Sequence, residues 1–319
     1  IRYSIPQIMA GNTVLLKHAQ NVWGMAERLQ ELYEDAGLPK GVFTALKISH
    51  DQSDEVIANP KVRGVTLTGS DGAGRHVAAV AGKHLKKTVM ELGSNDAYVV
   101  LSDADIERTV KTCVMGRIVN NGETCVAAKR FIVVDDVYEA FRDAFVERMA
   151  AVELADPTDP KAKLGPMART ELRDTLHDQV TESVDKGATL LLGGEVPDRP
   201  GAWYPATVLE DVAPGQPAYD DELFGPAAAL IRVKDDAEAM RVANDSRYGL
   251  GGGISSAEVD RANEPAPTEF DTGMVNINGY NLAKPNLPFG GVKDSGYGRE
   301  HGGFGIREFV NTKAVMVVE

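Results

Sequence analysis

Val62-Arg63-Gly64-Val65-Thr66-Leu67-Thr68-Gly69-Ser70-Asp71-Gly72-Ala73-Gly74 passes from an apolar run of strand length straight into a glycine-rich turn. Small residues follow, and a helix is expected over 76–85. A strand that ends in a tight turn and a helix is the first half of a βαβ crossover, which lays strands parallel. The residues upstream repeat the rhythm. Stretches 13–17 and 42–48 read as strands. Between them Val22, Met25, Leu29, Leu32, Tyr33 and Ala36 recur every three or four positions, one face of a helix over 21–36. Gly37 and Pro39 close that helix in the expected order, and 51–58 reads as a short helix.

A second α/β unit begins after Gly93. Strands are expected at 97–101, 131–134, 189–192 and 228–233, and helices at 103–119, 137–150, 169–186 and 237–243. Residues 156–165 and 197–201 are polar loops that carry proline. Pro265 and Pro267 predict a loop or a broken helix around them, since proline in a helix interior costs about 3 kcal/mol. The tail 314–318 alternates weakly and reads as an edge strand in need of a partner.

Composition sets limits on function. At 319 residues the chain is long enough for two domains by the usual prior of about 100–200 residues each. The 43% hydrophobic content describes a soluble protein with a sizeable core. A net charge of −13 argues against a nucleic-acid or anionic-membrane partner, either of which calls for a basic stripe. No apolar stretch is long enough for a membrane span and no signal-peptide pattern opens the chain. Two cysteines twelve residues apart suggest no disulfide framework, and a reducing cytoplasm fits better. No CxxC or HxxxH spacing suggests a metal. The opening Ile1-Arg2-Tyr3 lacks a methionine and reads as a fragment or a processed chain.

The chemistry centres on Asn120-Asn121-Gly122-Glu123-Thr124-Cys125-Val126-Ala127-Ala128. The glycine three positions before Cys125 permits a tight turn, and the small residues after it leave room for an approaching substrate. A lone intracellular cysteine is more often a small buried hydrophobe, and Cys113 reads that way. Glu91 stands in Met90-Glu91-Leu92-Gly93-Ser94-Asn95, at a strand end. A thiol nucleophile and a carboxylate able to move protons suffice for covalent carbonyl chemistry. The Gly69 turn suits phosphate, because helix N-termini offer free N–H groups. Taken alone it is weak, since it fits neither a P-loop nor GxGxxG.

With these motifs in this order, the chain resembles the aldehyde dehydrogenase superfamily along essentially its whole length. Thr68-Gly69-Ser70 looks like the family's cofactor turn, Glu91-Leu92-Gly93 like its general-base motif, and Asn120 through Cys125 like its nucleophile motif. Glu222-Leu223-Phe224-Gly225-Pro226 resembles the stretch that touches the nicotinamide ribose. The run from Pro288-Phe289-Gly290-Gly291 to Arg299-Glu300 resembles the late signature that closes the substrate side.

The resemblance implies an α/β fold: a remnant of a Rossmann-type NAD(P)-binding domain over 1–93, an α/β catalytic domain over 94–300, and a C-terminal segment, 301–319, with an oligomerisation strand. It implies Cys125 as nucleophile and Glu91 as base. Lys17, Gln20, Gly69, Ser70, Gly93, Glu222 and Phe224 would bind NAD or NADP. Gln20 stands where NAD-preferring members often carry glutamate, so use of both cofactors is expected. A homodimer or homotetramer in the cytoplasm is the family expectation.

Within the family the likeness is strongest to bacterial succinate-semialdehyde dehydrogenases, through Lys17-His18-Ala19, Leu164-Gly165-Pro166-Met167-Ala168-Arg169 and Asn276-Ile277-Asn278-Gly279-Tyr280. Arg2, nine residues before Gly11, matches an arginine that holds the substrate's far carboxylate there, with Phe289 alongside as a substrate residue. A guanidinium suits that work because its donors form a planar fork. Two further anion contacts are missing: Val119 stands where some members have arginine, and Ala283 where serine is expected. Arg117 is not expected to point the way the missing arginine does. Ser94 replaces the second glycine of the Glu91 motif. The family's earlier residues, including an asparagine of the oxyanion hole, lie before Ile1. Alternatives are a non-catalytic family member, a dehydrogenase for another small aldehyde, or a thioesterase-like hydrolase using Cys125 and Glu91.

Overall fold

The structure is a computed structural model that describes residues 1–318. The stretch quoted above forms β3 (Gly64–Thr68) and, directly after the turn, α4 (Asp71–Lys83). The helix starts five residues earlier than expected from the apolar pattern. Ser70 caps it, its Oγ accepting the Ala73 N–H at 3.3 Å, so a cap rather than periodicity sets the start. Ahead of these lie α1 (Ser4–Met9), β1 (Val14–Leu16), α2 (Trp23–Asp35), β2 (Phe43–Ala45) and α3 (His50–Ala58). Ser49 begins α3 with a complete capping box with Gln52.

The chain divides into two compact units. The first comprises Ile1–Leu92, Ala283–Gly290 and the chain from Gly296 onward; the second comprises Gly93–Leu282 and Gly291–Ser295. In the first unit β1 pairs parallel with β2, and β3 pairs parallel with β4 (Lys87–Glu91). The short strand Gly296–Tyr297 adds to the other side of β4, antiparallel, with Gly296 opposite Glu91. Phe289 and Glu300 bond each other's main chains at 2.9 and 2.7 Å. These pairings draw 283–290 and 296–300 into the first unit, although they lie late in the chain.

The second unit is built on a seven-stranded sheet. Its strands are β5 (Ala97–Val100), β6 (Arg130–Val134), β7 (Thr189–Leu192), β8 (Thr207–Glu210), β9 (Ala227–Val233), and the later strands Gly252–Ser255 and Asn276–Ile277. From the edge the order is Asn276–Ile277, Gly252–Ser255, β5, β6, β9, β8, β7, and every pairing is parallel except β7 with β8. Both faces are covered, as a parallel sheet requires. Phe131 and Val133 of β6 point into one core with Phe141 and Phe145; Ile132 and Val134 point into the other with Leu176 and Tyr204. Helices α5 (Ile106–Ile118), α6 (Asp135–Ala150) and α7 (Thr170–Asp185) fall within a few residues of their expected bounds. The helix Val259–Asn263 ends before Pro265, and turns follow.

The tail makes no ladder within the chain: among the described residues, 310–318 carry no secondary structure, and Val315, Met316, Val317 and Val318 are exposed. An edge strand acquires its hydrogen bonds only from a neighbour. No helix among the described residues is long and apolar enough to cross a membrane.

Candidate active site

The nucleophile loop belongs to the second unit. Asp105 caps α5, its carboxylate accepting the Arg108 N–H at 3.1 Å, and the helix runs to Ile118 before the loop begins. Asn120 and Asn121 take left-handed backbone conformations, φ 51° and 57°. Gly122 follows at φ +75°, and a Cβ there would overlap the main chain of Gly225. Glycine is therefore required twice over, for its conformation and for the approach of the 222–226 stretch.

Side chains then brace the loop. Asn121 accepts the Gly165 N–H at 2.8 Å and donates to the Pro166 carbonyl at 2.9 Å. The Glu123 carboxylate accepts the Ala168 N–H, and Asn120 donates to the Glu123 carbonyl, both at 2.9 Å. Cys125 is half-buried, whereas Cys113 is fully enclosed, with its thiol pushed well above the usual range by burial. The core reading of Cys113 is thus correct.

Two buried cations flank the loop. Arg117 donates to the Gly122 carbonyl at 2.8 Å, and burial lowers its guanidinium to about 10. It points inward under the loop. Lys129 has no exposed side-chain surface and forms an ion pair with Glu222 at 3.1 Å. Its Nζ also donates to the carbonyls of Cys125 at 2.7 Å, Ala127 at 3.2 Å and Thr124 at 3.3 Å. Sequence reading missed Lys129. The signal available was a lysine inside Val126-Ala127-Ala128-Lys129-Arg130-Phe131, an otherwise small or apolar run apart from its neighbouring arginine.

Glu222 and Gly93 come together in this unit: a Cβ on Gly93 would lie 2.7 Å from Glu222 Oε2. Burial pushes the Glu222 carboxyl up and Lys129 pulls it back. Phe224 is half-buried two residues on. Ser94 is accommodated beside Gly93, its hydroxyl donating to the Asp96 carboxylate.

Glu91, Arg2, Phe289, Lys17, Gln20, Gly69 and Ser70 belong to the first unit. Glu91 ends β4 and is 2% exposed, with neither carboxylate oxygen hydrogen-bonded. Its pKa rises to about 8, chiefly through burial and then through the nearby Glu300; Arg2 and Arg299 oppose the rise. Gly290, at φ +149°, makes room for it, since a Cβ there would lie 2.8 Å from Glu91 Oε1. Arg2 sits 5.2 Å over the Phe289 ring and pairs with Glu300 at 3.2 Å. The two expected substrate residues are therefore neighbours. Gly69 donates its N–H to the Glu91 carbonyl at 3.1 Å and is exposed at the start of α4. Lys17 follows β1 and is half-buried; Gln20 opens the 3₁₀ turn Gln20–Val22 and is exposed.

Comparison with known proteins assigns the family. Residues 1–315 match the aldehyde dehydrogenase family. The chain is 46% identical over 315 residues to a succinate-semialdehyde dehydrogenase [NADP(+)] of Deinococcus radiodurans, covering 99% of this chain and 66% of that protein. It is 45% identical to succinate semialdehyde dehydrogenase [NAD(P)+] Sad of Escherichia coli, covering 99% of this chain and 68% of the relative. The chain thus spans about two thirds of the length of these relatives. Among solved structures, succinic semialdehyde dehydrogenase from Streptococcus pyogenes, in complex with NADP+, superposes with a TM-score of 0.97 at 39% identity, over all of this chain and 70% of that one. Motif order, loop geometry and whole-chain similarity lead to one assignment: the chain belongs to the aldehyde dehydrogenase family.

Proposed function

We propose that the protein oxidises an aldehyde to a carboxylic acid with NAD or NADP, and that the aldehyde is succinate semialdehyde. The observation that carries the reading is Cys125, half-open on a loop whose main chain is fixed on both sides. Its thiolate attacks the aldehyde carbon, and the Cys125 N–H holds the resulting oxyanion. What NAD(P) supplies when bound is acceptance of hydride, which leaves a thioester on Cys125. Glu91, once deprotonated, takes a proton from water and directs it at the thioester carbon, releasing the acid and the free thiol.

The residues suit a dinucleotide. Gly69 and Ser70 present a helix N-terminus without bulk, which favours phosphate. Gly93 lets the Glu222 carboxylate lie close, where it can accept ribose hydroxyls. Lys17 and Gln20 are the candidates for the adenosine end. The expected ranges, 1–93 for cofactor, 94–300 for catalysis and 301–319 for assembly, differ from the compact units, because 283–290 and 296–300 pack with the first. The reading extends to a cytoplasmic homodimer or homotetramer, supported by an exposed apolar tail that carries no secondary structure among the described residues.

For the substrate, the guanidinium of Arg2, whose Nε pairs with Glu300, lies against the Phe289 ring and keeps its other donors for a short chain ending in carboxylate beside an apolar wall. The test is formation of NADH and NADPH with succinic semialdehyde and with butanal. Turnover is expected with the acidic aldehyde and none with Cys125→Ala. Arg2→Ala should raise KM for the acidic aldehyde about 10- to 100-fold, the loss of a charge-assisted pair. Equal turnover of both aldehydes would remove the substrate assignment and leave the reaction class standing.

A further inference from the structure

Lys129 occupies a position that sequence patterning alone gives no reason to charge. It precedes β6 by one residue, and its neighbours Ala127, Ala128 and Phe131 are fully buried. An ammonium there costs several kcal/mol unless the protein surrounds it with acceptors. The acceptors it has belong to two motifs. Three are carbonyls of the nucleophile loop, Thr124, Cys125 and Ala127; the fourth partner is the Glu222 carboxylate.

Peptide planarity makes two of these bonds informative. The Thr124 carbonyl and the Cys125 N–H belong to one planar unit, and the Cys125 carbonyl belongs to the next. Lys129 holds an oxygen on each, so it restrains the direction of the Cys125 N–H, the group assigned above to the developing oxyanion. The same charge lies on the nucleophile's own main chain, where it favours the thiolate over the thiol.

We propose that Lys129 is a positioning residue for the oxidation, tying the two peptide planes around Cys125 to the Glu222 carboxylate so that nucleophile and cofactor-facing carboxylate are set as one unit. The proposal rests on the function given above. It makes the two partners electrostatic opposites. Removing the ammonium withdraws support from the thiolate, whereas neutralising Glu222 leaves the ammonium facing the loop with less compensation.

The experiment needs no cofactor. Iodoacetamide modification of Cys125 is followed by peptide mass spectrometry from pH 5 to 10, with the enclosed Cys113 as internal reference and melting temperature as the check on folding. Lys129→Met should move the midpoint of reactivity up by about one pH unit, about tenfold slower at neutral pH. Glu222→Gln should move it down. Two folded variants with the wild-type midpoint, or shifts in one common direction, would overturn the proposal, because loss of packing alone lowers melting temperature without opposite titration shifts. Should Lys129→Met not fold, Glu222→Gln decides alone, and an unmoved midpoint refutes the role. A wild-type Cys125 inert to alkylation would overturn the parent function as well, so the two failures are distinguishable.

Discussion

At the scale of single residues, the proposed reaction depends on a carboxyl group held in the wrong protonation state for neutral water. Glu91 has a folded pKa of about 8 against an ordinary 4.5, and burial is the main cause. As a base it works deprotonated, so the hydrolytic rate should climb with pH to a plateau above about pH 8. The sign for stability is opposite. Between the two pKa values the folded protein holds a proton that the unfolded chain has released, so stability falls as pH rises through that window. Glu91→Gln should therefore be more stable than wild type at pH 9 by about 3–5 kcal/mol, and the gap should close towards pH 5. Denaturant titration of both proteins at the two pH values checks this; a gap independent of pH contradicts the burial account. The expectations for Cys125 and Glu91 came from the sequence, where each sits in a flanking pattern of glycine and small residues. Lys129 was not legible there, because its role depends on which carbonyls the folded loop turns towards it.

At the scale of elements, glycine placement decides whether the site can form. Gly290 leaves the space into which the Glu91 carboxylate fits, and its φ of +149° is poorly tolerated by other residues. Gly290→Ala is expected to cost about 1–3 kcal/mol in stability. It should also slow turnover at least tenfold while leaving Cys125 alkylation unchanged, since the displaced group is the proposed base. Stability measured with and without an alkylation assay separates the effects; loss of both activities would show a wider collapse. Long elements were readable from periodicity: α2, α5 and α7 each carry an apolar face, and β7 matches its expected bounds. The two-residue strand Gly296–Tyr297 was not, because it is too brief to show a period and its partner β4 lies far upstream; β8, as long as β7, was missed as well. The start of α4 was misread because Asp71–Arg75 offers no apolar repeat, although Ser70 carried the cap signal.

At the scale of the whole molecule, Glu91, Arg2 and Phe289 lie in the first compact unit, and Cys125, Lys129 and Glu222 in the second. Parallel α/β architecture was legible from the first ninety residues. The return of 283–290 and 296–300 to the first unit was not, because nothing local marks a strand whose partner lies some two hundred residues upstream. In the proposed reaction a covalent acyl group passes from Cys125 to water under the action of Glu91. The most direct measurement mixes Glu91→Gln with succinic semialdehyde and NADP, quenches in acid, and weighs the Cys125 peptide while counting NADPH. A succinyl thioester on Cys125 and a burst near one NADPH per chain, without steady turnover, are expected. An unmodified Cys125, or turnover at the wild-type rate, would contradict it.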